Sequence, residues 1–328
     1  MIVEISSLER IQEYANIEQE PKPTPDGVPP AYWPASGELV VENLSAKYSA
    51  DGPEVLHNLN FHIKSGERVG VVGRTGSGKS SLTLALLRCI LTEGNVLYDG
   101  IPTSKINLDA LRTNITIIPQ VPELLSDTLR GNLDPFDQHD DATLNDALRA
   151  AGLFSVQSED DEGRITLETA VSSGGGNLSI GQRQILALAR AIVRRSKLLI
   201  LDEGEYLLGR ILLLEGLYSW NSLLATSAID YETDAVIQNS LRTNLGPDVT
   251  LFTIAHRLQT IMDADKIVSY TGVSLLVADA DLFVQMVLDS GNVVEFGKPS
   301  ELLGIKDGKL KALVDESGDK DTLYKMTQ

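Results

Sequence analysis

The chain has 328 residues, enough to bury a substantial core as one large domain or two modest ones. Acidic side chains outnumber Lys and Arg by 46 to 28, a formal charge of −18, which argues against non-specific nucleic-acid binding because that binding runs on phosphate neutralisation. The single cysteine excludes an internal disulfide framework, and no apolar run reaches the roughly 20 residues a membrane helix needs.

The opening MIVEISSLER lacks the basic and then apolar layout of a secretory signal. Ile5, Leu8, Ile11 and Ala15 recur at helical spacing, so residues 1–20 read as a short amphipathic helix. EPKPTPDGVPPAYWP, residues 20–34, holds six of the thirteen prolines and reads as an extended linker outside the core. The domain proper starts at Gly37, where GELVVENLSAKYS alternates apolar and polar residues like a half-buried strand. ERVGVVG reads as a buried strand, KSSLTLALLRCI as a helix carrying Cys89 as an inert core thiol, and NITIIPQ as a strand. A long helical region runs from about Asp127 to Arg195. LLILD and VTLFTIA are continuous apolar strands, the pattern of a parallel sheet covered on both faces.

GRTGSGKS, residues 73–80, fits G-x-x-x-x-G-K-[ST] between an apolar strand and a helix. Gly73, Gly76 and Gly78 let backbone amides curl round phosphates, Lys79 supplies a point charge, and Ser80 offers a hydroxyl to Mg²⁺. Nucleotide binding follows from this loop, but the reaction does not. LLILDE ends a strand in Asp202, able to hold Mg²⁺ through water, and Glu203, able to orient or deprotonate an attacking water. A solvated strand exit is the plainer role of such a pair. Ser179, in NLSIGQRQ, stands at a helix start, where an N-cap is the plainer role. His256 follows VTLFTIA at a strand's carboxyl end, where open α/β sheets bind ligands, and Gln120 follows NITIIP. A packing histidine and a turn glutamine are the alternatives.

In this order, these stretches resemble the nucleotide-binding domain of an ATP-binding cassette (ABC) transporter, over nearly the whole chain from Gly37. The resemblance implies an α/β fold, a P-loop NTPase of ABC type with a mixed, largely parallel sheet core, an antiparallel β subdomain and an α-helical subdomain at about 121–196. It implies that ATP and Mg²⁺ meet Gly73, Thr75, Gly76, Ser77, Gly78, Lys79, Ser80, Ser81 and Asp202. Catalysis would then involve Glu203, His256 and Gln120, the last also near the metal. It further implies a signature at Ser179, Ile180, Gly181 and Gln182 that serves a partner's ATP, and a D-loop at Ser227–Asp230. Tyr48 matches the aromatic that stacks on adenine, an apt use of a flat ring, with a core aromatic as the alternative. SLERIQEY at 7–14 and TLRGNLDPF at 128–136 are similar to the C subfamily, the multidrug-resistance-associated type, and to its second nucleotide-binding domain. The signature reads LSIGQ where the family has LSGGQ, so Ile180 crowds the approach to a facing γ-phosphate. The implied partners are a second nucleotide-binding domain, in a head-to-tail dimer, and transmembrane domains outside this chain, at the cytoplasmic face of a membrane. Nucleic acid is not among them. The layout expected is a leader and linker at 1–36, the nucleotide-binding domain at 37–315 and a tail at 316–328.

Two segments break the pattern. Deleting 204–224 joins LLILDE to ATSAID, and deleting 268–285 joins DADKI to MVLDSGNVVEFG, a hairpin with Asp-Ser-Gly at its turn. Reverse translation permits a GTGAGT splice donor at Gly204–Tyr206 and at Val268–Tyr270, with AG acceptors at Leu224–Ala225 and Gln285. Translated introns of the short kind found in filamentous fungi fit both segments; genuine loops are the other reading. Either way, the first wedge separates the catalytic carboxylates from the D-loop, so the expected activity is that of an ATPase motor for export or of an impaired, ATP-binding cassette; a soluble ABC protein acting on nucleic acid is the further alternative, against which the acidic balance counts.

Overall fold

The structure is a computed structural model that describes residues 10, 12, 14–16, 19–73, 76–119, 121–157, 164–202, 231–254, 258, 262, 266–276, 285–306 and 308–327, with 231, 232, 234, 266–276 and 285–290 described by backbone alone. Two long strands come first, β1 (Leu39–Lys47) and β2 (Glu54–Ile63), and then β3 (Arg68–Gly73) feeds helix α1 (Lys79–Leu86). β4 (Leu91–Tyr98) and the two-residue β5 (Ile101–Pro102) precede α2 (Leu108–Thr113) and β6 (Ile115–Ile118). Next come α3 (Leu129–Leu133), α4 (Asp141–Ala150), α5 (Ile180–Arg194) and β7 (Leu198–Asp202). The last third holds α6 (Tyr231–Thr243), β8 (Thr250–Ile254), β9 (Lys266–Leu276) and β10 (Gln285–Gly297), then α7 (Pro299–Leu303), α8 (Lys309–Glu316) and α9 (Lys320–Met326).

The strands form two sheets. One is antiparallel, in the order β2-β1-β4-β5; the other runs β10-β9-β3-β8-β7-β6, parallel except for β10. The apolar runs of β7 and β8 follow from burial on both faces. Leu198 and Ile200 of β7 enter a core with Leu39, Leu56, Ile63, Leu82 and Phe252, beneath the antiparallel sheet. Leu199 and Leu201, facing the other way, join Leu129, Leu144, Leu148, Ile185 and Leu188 of the helices. A third cluster gathers Val72, Met262, Leu303, Leu310, Val314 and Leu323 under the C-terminal helices. No helix among the described residues is long and apolar enough to cross a membrane.

Two local expectations change. The proline-rich segment is not outside the core: Trp33 is buried, stands edge-on to Tyr98 with centroids 5.1 Å apart, and donates from Nε1 to Tyr98 O at 2.9 Å. Asn107 holds the same segment by accepting from Thr24 N and donating to Thr24 O, both at 2.9 Å. Cys89 is exposed, not a core thiol, because left-handed Arg88 (φ 54°) ends α1's register one residue earlier. Among the described residues, the helical region 127–195 holds α3, α4 and α5; Pro135 follows α3, and left-handed Gly152 (φ 94°) turns the chain after α4. In the intact chain, with 268–285 present, Asp289-Ser290-Gly291 is not at a hairpin turn. It lies inside β10, where Asp289 pairs with Gly272 and Val293 with Tyr270, so three residues oppose one. Gly291 keeps a turn-like φ of 55° there. Residues 204–224 lie outside the described chain. At Asn16, whose N–H donates to Gln12 O at 3.0 Å, the leader does turn as a helix.

Candidate functional site

β3 is apolar and buried until it ends at Gly73, where the chain must turn sharply into α1. Gly76 (φ 82°) and Gly78 (φ 97°) supply left-handed backbone that a Cβ would strain. The helical ladder starts with Leu82 N–H donating to Gly78 O at 2.8 Å, so the amides of Ser80 and Ser81 precede it at the positive end of the helix. Lys79 is buried and folds back, its Nζ donating to Gly73 O at 2.7 Å. Ser77 is also buried, and its Oγ has no partner among the described residues. Ser80 is exposed. Arg74 and Thr75 of the loop lie outside the described chain. A buried ammonium, a buried hydroxyl without a partner among the described residues and left-handed glycine backbone together form a donor set suited to phosphate oxygens.

Tyr48 stands just past β1 and is not a core aromatic: it is 57% exposed. Its hydroxyl lies 2.8 Å from Ser81 Oγ, which joins it to the first turn of α1. The ring therefore flanks the phosphate loop with its faces available for stacking.

Asp202 is half-buried at the carboxyl end of β7, in register with Ile254 of β8. The parallel neighbours β3, β8, β7 and β6 all deliver their carboxyl ends to one sheet edge. β6 ends two residues before Gln120, β7 one before Glu203, and β8 two before His256. Gln120, Glu203, His256, Ser227 and Asp230 themselves lie outside the described chain.

The four signature residues open α5. Ser179 is its N-cap: its hydroxyl accepts from Gln182 N at 3.1 Å, while Gln182 Oε1 accepts from Ser179 N at 2.9 Å. The capping role is therefore real, and it leaves the Ser179 hydroxyl proton to donate outward. Gly181 is where α6 comes closest, since a Cβ there would lie 2.4 Å from Thr233 Cγ2. Ile180, at the first helical position, is partly exposed.

One arrangement was not read from the sequence. Arg190, on the buried side of α5, donates from Nε to Asn132 O at 2.6 Å, from Nη2 to Asn132 Oδ1 at 2.7 Å and from Nη1 to Glu123 O at 3.1 Å. Asn132 in turn holds Leu125 through its N (2.8 Å) and O (2.9 Å). Burial, and then Arg194, pulls the Arg190 guanidinium below its ordinary pKa. The signature helix is thereby bolted to the segment that follows Gln120. The available signal was a charged residue inside the apolar run ILALARAIV.

Residues 56–205 match the family model described as ABC transporter. The chain is 43% identical over 320 residues to the ATP-binding cassette transporter abc4 of Schizosaccharomyces pombe, covering 96% of this chain and 19% of that protein. It is 43% identical over 315 residues to the ATP-binding cassette sub-family C member 2 of Rattus norvegicus, covering 96% and 18%. Against the metal resistance protein YCF1 of Saccharomyces cerevisiae the identity is 41% over 317 residues, covering 96% and 18%. A solved structure of a bacterial Atm1-family ABC exporter with ATP bound matches with a TM-score of 0.72 at 25% identity, over 96% of this chain and 47% of that one. The chain spans about a fifth of the length of the curated relatives it matches.

Proposed function

Since this chain belongs to the ABC transporter family, we propose that it binds and hydrolyses ATP as the nucleotide-binding domain of an exporter. The observation that carries the reading is the junction of β3 and α1. Left-handed Gly76 and Gly78, the buried Lys79 ammonium and the Ser77 Oγ, which has no partner among the described residues, fit a polyphosphate.

In this reading Tyr48 stacks on adenine and Lys79 meets the β/γ-phosphates. Ser80, Asp202 and Gln120 would hold Mg²⁺, partly through water, and the ion would neutralise charge on the phosphates. Glu203 orients and deprotonates the attacking water, and His256 contacts the γ-phosphate from the end of β8. Ser179 donates toward the ATP of a second nucleotide-binding domain facing this one head-to-tail, while Ile180 crowds that shared site. The transmembrane domains that ATP-driven closure would move belong to other chain segments, and this domain would sit at the cytoplasmic face of their membrane. The working unit is 37–315, with its helical part at about 121–196, a leader and linker at 1–36 whose Trp33 packs into the core of that unit, and a tail at 316–328.

The test is a titration of the chain with a fluorescent ATP analogue in Mg²⁺, followed by phosphate-release assays. A wild-type chain that binds no ATP ends the proposal. A second reading, ATP binding with slowed turnover, is favoured by the 28 residues that separate Asp202 from the start of α6 at Tyr231. Removing 204–224 distinguishes the two: a rise in turnover at unchanged ATP affinity supports the impaired cassette.

A further inference from the structure

We propose that Tyr48 is more than a stacking platform: its hydroxyl orients the Ser81 hydroxyl toward a nucleotide phosphate, so that the base and phosphate subsites form one hydrogen-bonded unit. The inference rests on the nucleotide-binding reading above and deepens it, by assigning a positioning role to a hydroxyl that stacking does not need.

Stacking uses the face of a ring, and a phenylalanine has the same face. The Tyr48 hydroxyl is nevertheless engaged, 2.8 Å from Ser81 Oγ. The backbone on either side holds the ring in place. Lys47 pairs with Glu54 and Glu93, each at 3.7 Å, and Gly52 N–H donates to Ser49 O at 3.0 Å, closing a tight turn directly after Tyr48. Ser81 is buried in the first turn of α1, beside the amides that precede the helical ladder and next to Ser80. The ring is more than half exposed while its hydroxyl reaches a buried partner, so this bond sets the ring's position.

Donor order follows from chemistry. A phenol is a stronger donor than an aliphatic hydroxyl, so Tyr48 O–H donates and Ser81 Oγ accepts. The Ser81 proton is then directed onward, and the acceptor that a phosphate loop brings to this helix end is a phosphate oxygen. Chained hydroxyls polarise one another, and the last bond, to an anion, is charge-assisted. Tyr48 therefore senses phosphate through Ser81 while its ring contacts the base.

The experiment measures dissociation constants of ATP, ADP and adenosine by competition with a fluorescent nucleotide, for wild type, Tyr48→Phe, Ser81→Ala, Ser81→Thr and the Tyr48→Phe/Ser81→Ala pair. Tyr48→Phe is expected to weaken ATP and ADP about three- to ten-fold, the scale of one charge-assisted hydrogen bond in part lost, and to leave adenosine unchanged. Ser81→Thr keeps the hydroxyl and should stay near wild type. In the Ser81→Ala background Tyr48→Phe should have no further effect. An equal loss for adenosine and ATP, or a Tyr48→Phe effect that persists without the Ser81 hydroxyl, overturns the relay. A wild-type chain that binds neither ATP nor ADP overturns the nucleotide reading itself, a different result from additive variants in a binding-competent chain.

Discussion

Lys79 Nζ donates to Gly73 O, and a neutral carbonyl is a weaker partner for a buried ammonium than an anionic phosphate. Lys79→Ala should therefore weaken ATP binding by roughly two orders of magnitude while leaving the circular dichroism spectrum unchanged. A tenfold or smaller loss in the same fluorescence titration would sink the assignment. Gly181 presents a steric case. A methyl at 2.4 Å from Thr233 Cγ2 forces α5 and α6 apart, so Gly181→Ala should cost about 1–3 kcal/mol in urea unfolding. Thr233→Ser removes the clashing methyl and should restore most of that loss. If Gly181→Ala is as stable as wild type, the helix contact does not require glycine. Of the two glycine positions in the family's pattern, the second, Gly181, thus serves packing within this chain, while the first is Ile180, which is partly exposed.

At the scale of elements, β9 and β10 carry a displaced turn. Val268–Tyr270 fill the sheet position beside Val71–Gly73, and Asp289–Asn292, a turn by sequence, is carried inside a strand with Gly291 left-handed. A Cβ at Gly291 would lie 2.3 Å from Val55 O, so the bulge is also pressed against β2. Deleting 268–285 lets Met286–Leu288 take the place of Val268–Tyr270 and returns Asp-Ser-Gly to a hairpin. The shortened chain should keep its circular dichroism spectrum and gain a few degrees in Tm, since a two-residue bulge is relieved. A lower Tm would show that the segment is a working part of the sheet. Arg190 presents the opposite case, a feature the fold needs. Arg190→Ala removes three hydrogen bonds at once and should cost about 2–4 kcal/mol in urea unfolding, with added protease sensitivity near 121–128.

For the whole molecule, the decisive comparison is the chain with and without 204–224, read as phosphate release per bound ATP. Higher turnover in the shortened chain would locate the defect in the connection between β7 and α6, and equal turnover would make the segment a tolerated loop. Much of the architecture was legible in advance, because β3, β7 and β8 are buried on both faces and such strands must be apolar throughout. The phosphate loop was equally legible, since glycines at fixed spacing before Lys79 have few other uses. Helix ends between 127 and 195 were not, because apolar periodicity continues across the stops after α3 and α4. Trp33 was missed because proline content signals an extended chain but says nothing of what that chain packs on. Local chemistry is written in residue types and spacing, so the sequence by itself determined the phosphate loop, the strand that ends in Asp202, the N-cap at Ser179 and the family. The tertiary structure alone decided that Tyr48 reaches Ser81, that Arg190 grips Asn132, that Gly181 makes room for Thr233 and that Trp33 is core. Each of these joins residues far apart in the chain, and only folding sets such distances.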